Sequence, residues 1–306
     1  MYQKILSGLN SKKNKYIAKA ISLVEDGDFE LFNLLNLDSN NSYRIGITGP
    51  PGAGKSSITN ELIKYFRKLN KRVGVLLVDP TSPFTSGAVL GDRIRMNEFH
   101  QDSGVYIRSL ATRGSKGGLS NNINYISDIL EYSGYDIIIF ETVGVGQVEL
   151  DVVESVDTVL VTLVPESGDD IQIMKAGLIE IADIYIINKY DRKDSDKLYL
   201  FLTNMLSMIE KKQWKPSIVK TIAIKSEGIN ELGKQILDHQ NYLISTNDFL
   251  NKKNHRFIKS IKNRLVEDFL SEFWNKKRMD FLNNELSKKT KKKKRINEII
   301  KDLKSI

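Results

Sequence analysis

The sequence predicts an α/β fold: a mostly parallel sheet flanked by helices, with helical extensions at both ends. Three observations lead there. From Tyr43 to about residue 245, short β-branched runs alternate with longer stretches of helical periodicity. The first run leads directly into a glycine-rich loop that opens a helix, Gly49-Pro-Pro-Gly-Ala-Gly-Lys-Ser56. Neither the first 42 residues nor those after 246 carry a strand signal. By pattern the chain divides into an N-terminal helical extension (1–42), an α/β domain (43–245) and a C-terminal helical arm with a basic tail (246–306).

In residues 1–41, Ile17, Ile21 and Val24 share one helical face, with Leu31, Leu34 and Leu35 following. The polar stretch Asn36–Ser42 breaks that pattern. Strands are expected at Arg44–Thr48, Val73–Asp79, Ile137–Glu141, Thr158–Val164, Ile184–Asn188 and Val219–Ile224. Helices are expected near 55–69, 119–133, 169–182, 193–211 and 229–243. Apolar strands each followed by a crossover helix imply a parallel sheet covered on both faces. Beyond 246, Phe257, Ile261, Leu265, Phe269 and Phe273 recur every fourth residue, beside Ile258, Val266, Leu270 and Trp274. Such a wide apolar stripe needs a surface to cover it, in the same chain or in a second copy.

Composition narrows the function. The chain contains no cysteine, which excludes disulfides, thiolate zinc sites, iron–sulfur clusters and a cysteine nucleophile. His100, His239 and His255 are its three histidines, so a histidine-rich metal site is not expected. No run approaches the roughly 18 apolar residues of a membrane helix, and the N-terminus lacks a signal-peptide stretch. A cytoplasmic protein without a membrane partner is the expectation. The net charge of +8 is uneven: residues 252–306 carry 18 Lys/Arg against 7 Asp/Glu, a net of +11, which leaves the rest at −3. Lys288, Lys289, Lys291 to Lys294 and Arg295 form a basic block, read as a solvated segment rather than a nucleic-acid site.

Residues 49–56 fit G-x-x-x-x-G-K-[ST] in the strand–loop–helix context that the P-loop NTPase motif requires. Glycines let backbone N–H groups converge on phosphate oxygens, and the helix N-terminus adds a positive dipole end. Gly49, Gly52, Ala53, Gly54, Lys55, Ser56 and Ser57 are the candidate phosphate contacts. Lys55 would reach the β- and γ-phosphates, and Ser56 would offer its hydroxyl to Mg²⁺. Asp79 and Glu141 close strands at the carboxyl edge, where open α/β sheets bind ligands and a hard cation takes oxygen donors. Glu141-Thr-Val-Gly144 has the form of a γ-phosphate sensor, and Gly144-Val-Gly-Gln147 that of a segment that moves on hydrolysis. Asn188-Lys189-Tyr190-Asp191 fits N-K-x-D, whose carboxylate accepts the two N–H groups of the guanine edge. Adenine lacks that donor pair, so the motif selects GTP and GDP. Ser226, just beyond the last strand, is a further candidate guanine contact.

With these motifs in place the chain resembles the MeaB/ArgK family, the GTPases associated with adenosylcobalamin-dependent methylmalonyl-CoA mutase. The resemblance rests on Val78–Phe84, Gly91–Met96, Arg108–Gly114, Gly117–Ser120, Glu141–Gln147, Pro165–Asp169, Glu180–Asp183 and Asn188–Asp191. It implies a homodimeric G protein of the signal-recognition and metal-insertion class that gates cofactor loading and protects the mutase. It also implies that Asp79, Asp92 and Glu141 surround the metal, and that Asn188, Lys189 and Asp191 select guanine. Residues 79–95, 142–149 and 164–175, the last with Gln172 and Lys175, correspond to three switches. The third meets the mutase in the family. It reads Pro-Glu-Ser-Gly-Asp-Asp-Ile-Gln here, where many relatives have Pro-Gly-Ala-Gly-Asp-Glu-Leu-Gln.

The expected reaction is GTP hydrolysis by positioning and charge neutralisation, with Lys55, Asp92, Glu141 and Gln147 as candidate catalytic residues. Val145 follows Gly144, so no glutamine stands where some small GTPases orient their water. Slow intrinsic turnover, stimulated by a partner, is therefore expected. The alternatives are chaperoning of another cobalamin-dependent acyl-CoA mutase, metal insertion, and a transport-system protein kinase. Metal insertion would call for a Cys/His cluster that the chain lacks, and nothing identifies a kinase acceptor.

Overall fold

The computed structural model describes residues 1–35, 42–79, 97–99, 101–111, 119–142, 152–165, 178–208, 213–288 and 294–306. The strands are β1 (Tyr43–Thr48), β2 (Val73–Asp79), β3 (Val105–Ala111), β4 (Ile137–Thr142), β5 (Thr158–Leu163), β6 (Ile184–Asn188) and β7 (Ser217–Thr221). They form a sheet in the order β3-β2-β4-β1-β5-β6-β7, with all six pairings parallel. Because every strand runs the same way, the ends of β1, β4, β6 and β7 share one edge. Strand β1 lies between β4 and β5, where the strand order reverses, and ligands bind at such a switch point.

The helices are α1 (Tyr2–Asn10), α2 (Asn14–Glu25), α3 (Lys55–Lys68), α4 (Leu119–Tyr132), α5 (Ser195–Met208), α6 (Ile229–Ser245), α7 (Asp248–Phe273), α8 (Lys276–Ser287) and α9 (Ile296–Ser305). Alternation along the strands splits the core in two. Ile45, Ile47, Val75, Ile139, Leu160 and Ile186 face α3 and α6, against Ile58, Leu62, Phe66, Leu232 and Ile236. Val78, Ile138, Phe140, Val161 and Ile187 face the other way, towards Ile126, Leu130 and Leu202. Ile17, Ile21, Val24 and Leu31 join this second layer, where the Phe29 and Phe32 rings meet Tyr125 tilted and edge-on, at centroid distances of 4.7 and 4.8 Å. Full burial of each large apolar side chain contributes about 1.5–3 kcal/mol.

Strand β3 is a correction to the sequence reading, which placed no strand there. It sits at the sheet edge and runs Val-Tyr-Ile-Arg-Ser-Leu-Ala, with Ile107, Arg108 and Ser109 only half-buried. An edge strand lacks the unbroken apolar run of its buried neighbours, so its pattern is weak. The last strand begins at Ser217 and ends at Thr221, two to three residues earlier than expected at both ends. Of the helix expected at 169–182, the described part is one turn at Leu178–Ile181.

The chain forms two compact units, Met1–Arg256 and Phe257–Ile306. The first two turns of α7 belong to the sheet unit through charge. Lys252 donates to the Asp157 carbonyl at 2.7 Å, Lys253 pairs with Glu131 at 3.0 Å, and Arg256 pairs with Asp157 at 2.7 Å. The same carboxylate accepts the Arg44 backbone N–H at 2.9 Å, while the Arg44 guanidinium reaches Asp128 at 2.7 Å. Asp157 is fully buried. In the second unit, Arg278 donates to the Leu303 carbonyl at 2.9 Å and lies over the Phe273 ring. The expected α7 stripe is present and open to solvent, with Phe257 66%, Leu265 64% and Phe269 63% exposed.

The sheet's other edge holds a buried polar cluster. Tyr43 and Thr158, the first residues of β1 and β5, bond to each other, and Thr158 meets His239 Nδ1 at 2.7 Å. Burial, with Lys252 nearby, pushes the His239 imidazole down to about 4. The unfolded chain protonates near 6.5 and the folded chain does not. Stability is therefore full above about pH 6.5 and falls as the pH drops towards 4. Urea unfolding across that window is expected to show this slope, and His239→Gln to flatten it.

Candidate nucleotide-binding site

The phosphate loop is shaped by backbone that only glycine tolerates well. Gly49, Gly52 and Gly54 have φ of 140°, 77° and 87°, in the left-handed region. A Cβ on Gly49 would lie 2.1 Å from the Thr162 carbonyl oxygen, and one on Gly54 2.3 Å from Asn188 Nδ2. Gly54 is the N-cap of α3, so the loop delivers the chain straight into a helix start with its N–H groups converging. Lys55, the first residue of α3, curls back over the loop. Its Nζ donates to the Gly49 and Pro50 carbonyls at 2.7 and 3.0 Å. An ammonium is thereby held at the mouth of the loop, and Lys55 is buried.

Alternation along β4 puts Glu141 on the α3 face, in line with Ile137 and Ile139. There the Ser56 hydroxyl donates to Glu141 Oε1 at 2.5 Å, and Glu141 is 3% exposed. A hydroxyl and a carboxylate joined beside a lysine are hard oxygen donors of the kind Mg²⁺ takes. The site therefore fits a metal–triphosphate, with Ser56 and Glu141 on the metal side and Lys55 on the phosphate side.

Asn188 ends β6 on the same face. Its Nδ2 donates to the Ala53 carbonyl at 2.9 Å, while its Oδ1 accepts from Thr221 Oγ1 and the Ala223 N–H, each at 3.1 Å. One carboxamide thus ties the phosphate loop to the segment after β7. Lys189 follows with φ of 57°, and Asp191 is exposed at the sheet's carboxyl edge. Thr221 and Ala223 escaped the sequence reading. Their signal is positional, since a threonine closing the strand beside β6 can meet a strand-ending asparagine. Ser226 lies in the same loop, but its hydroxyl donates to Glu61 of α3 at 2.6 Å.

The structure thus brings Gly49, Gly52, Ala53, Gly54, Lys55, Ser56, Ser57, Glu141 and the Asn188–Asp191 segment to one edge. Asp79 ends β2 at that edge, with only its backbone described. Asp92, Gly144, Gln147, Gln172 and Lys175 lie outside the described residues.

Gly54→Ala tests the loop–asparagine junction. The new methyl must displace the Asn188 carboxamide, and the left-handed backbone adds about 1–2 kcal/mol of strain. A loss of GDP affinity of roughly tenfold or more is expected in a fluorescent-nucleotide titration.

Comparison with known proteins agrees with this geometry. A Pyrococcus horikoshii protein named as a GTPase is 43% identical over 283 residues, covering 88% of this chain and 89% of its own. The Escherichia coli GTPase ArgK is 30% identical over 270 residues, covering 84% of this chain and 82% of its own. The mitochondrial methylmalonic aciduria type A homolog of Mus musculus is 33% identical over 237 residues, covering 76% of this chain and 57% of its own. A crystal structure titled LAO/AO transport system kinase superposes with a TM-score of 0.71 at 22% identity, covering 99% of this chain and 96% of its own. At that identity the superposition establishes the fold. Residues 17–278 match the family described as methylmalonyl Co-A mutase-associated GTPase MeaB, and the chain belongs to that family as a P-loop enzyme that hydrolyses GTP.

Proposed function

We propose that this chain is a cytoplasmic G-protein chaperone that gates adenosylcobalamin loading and protects methylmalonyl-CoA mutase, with GTP hydrolysis as its timer. The observation that carries the reading is the family match over residues 17–278, which spans the whole nucleotide site. In this reading Lys55 and the loop N–H groups hold the phosphates and offset the charge that gathers on their oxygens. Ser56, Glu141, Asp79 and Asp92 hold Mg²⁺, which when bound neutralises phosphate charge. Gly144 and Gln147 sense and complete the hydrolytic side, and Asn188, Lys189 and Asp191 select guanine. The exposed Phe257–Trp274 stripe supports a homodimer, because an open apolar face of that width favours burial against a second copy. A mutase that differs in its acyl-CoA substrate is the alternative client. The Glu166-Ser-Gly-Asp-Asp170 variation falls in the segment that meets the mutase in the family.

Size-exclusion chromatography with a methylmalonyl-CoA mutase and a non-hydrolysable GTP analogue tests the partner. Co-elution that weakens with GDP is expected. Separate elution in both nucleotide states would assign the chain another client.

A further inference from the structure

The segment after β7 closes on itself. The Ile222 N–H donates to the Glu227 carbonyl at 3.1 Å, and the Glu227 N–H to the Ile222 carbonyl at 3.3 Å. Within this loop the Ala223 N–H holds Asn188 Oδ1, so the loop's position sets that of the N-K-x-D segment. Ala223 packs in the same apolar cluster as Ile58 and Leu62 of α3, and Ser226, at φ of 58°, adds a side-chain bond to that helix. A serine in the left-handed region costs backbone energy and persists where its surroundings fix it. The Ser226 N–H caps the turn on the Ala223 carbonyl at 3.1 Å, and its hydroxyl donates to Glu61 Oε2 at 2.6 Å. Glu61 lies on α3, six residues beyond Lys55, and its side chain is 13% exposed. Its other oxygen accepts from Lys64 Nζ at 2.9 Å. Burial works to raise this carboxyl, but the Ser226 and Lys64 bonds outweigh it and hold Glu61 below the usual range. A hydroxyl bonded to a carboxylate is among the stronger hydrogen bonds available to a loop. Lys64 also reaches Glu98 at 3.2 Å, a surface pair that adds little.

We propose that Glu61 is a positioning residue for guanine recognition, bracing loop 222–228 on α3 through Ser226. The helix that starts with Lys55 and Ser56 then also fixes the loop that anchors Asn188. The phosphate-binding and base-binding halves of the site keep one spacing. Ser226 acts through Glu61 and not by contact with the base. This rests on the reading of Asn188–Asp191 as the guanine-selecting segment.

The test uses the full-length chain with Glu61→Ala, Ser226→Ala, the double variant and Glu61→Gln. Release of fluorescent GDP and the KM and kcat for GTP are measured. Each alanine variant is expected to speed GDP release and raise KM about fivefold to tenfold, with kcat within twofold of wild type. The double variant is expected to be no worse than the poorer single one, because both remove the same bond. Glu61→Gln keeps an acceptor oxygen and is expected to recover most of the loss. Wild-type GDP release in both single variants, additive losses in the double, or a fall in kcat at unchanged KM would overturn the proposal. Asp191→Ala checks the underlying reading separately: wild-type GDP release there would refute the guanine assignment whatever Glu61 does.

Discussion

Lys55→Ala is expected to reduce GTP turnover by a factor on the order of 10²–10³, the cost of removing one preorganised donor from a developing oxyanion. The side chain is already in place. Its ammonium bonds two carbonyls of the loop it must serve, at 2.7 and 3.0 Å. Its neighbour Ser56 is tied to Glu141. Alanine removes the one positive side chain that the described residues place inside the loop and leaves the glycine backbone unchanged. Single-turnover hydrolysis at saturating GTP checks this, with circular dichroism expected to match wild type. A variant retaining more than a tenth of wild-type turnover would show that lysine charge is not what stabilises the transferred phosphoryl group.

The largest expected effect on stability lies at the opposite edge of the sheet. Arg256→Ala leaves Asp157 fully buried without its guanidinium partner. Breaking a buried ion pair from one side costs about 3–5 kcal/mol, since the remaining charge is desolvated and uncompensated. Urea denaturation should show a lower midpoint at an unchanged slope. An Arg256→Met, Asp157→Asn double variant should recover part of the loss, because neither residue then carries a buried charge. Equal stability of wild type and Arg256→Ala would mean that the backbone bond from Arg44 satisfies Asp157 alone. GTP hydrolysis is expected to persist in the double variant, as the cluster lies far along β1 and β5 from the phosphate loop.

The two regions differ in how legible they are from sequence. The phosphate loop is contiguous, and its chemistry is written in eight adjacent residues. Strands β4, β5 and β6 are buried on both faces, so they read as largely apolar runs, and β1, equally buried but carrying Arg44, is marked by the loop it leads into. Strand β3 at the edge has neither signal. The contacts that join distant segments leave no local trace. Asn188 reaches Ala53 across 135 positions, Ser226 reaches Glu61 across 165, and Arg256 reaches Asp157 across 99. Motif spacing singled out Asn188 for its place in N-K-x-D, but not as the clamp between the two loops. Ser226 stands out for its place just beyond the last strand, and nothing local in the sequence shows that its side chain meets Glu61. Arg44, Asp157 and Arg256 belong to no motif. Only the fold shows that the arm's first turns are locked to the sheet by charge.

GTP turnover by the full-length chain, with and without a methylmalonyl-CoA mutase, tests the account most directly. The account predicts slow turnover alone, a marked rise on adding the mutase, and loss of both in Lys55→Ala. Turnover that is the same with and without the mutase would contradict the proposed client while leaving a GTPase. It would direct attention to mutases acting on other acyl-CoA substrates.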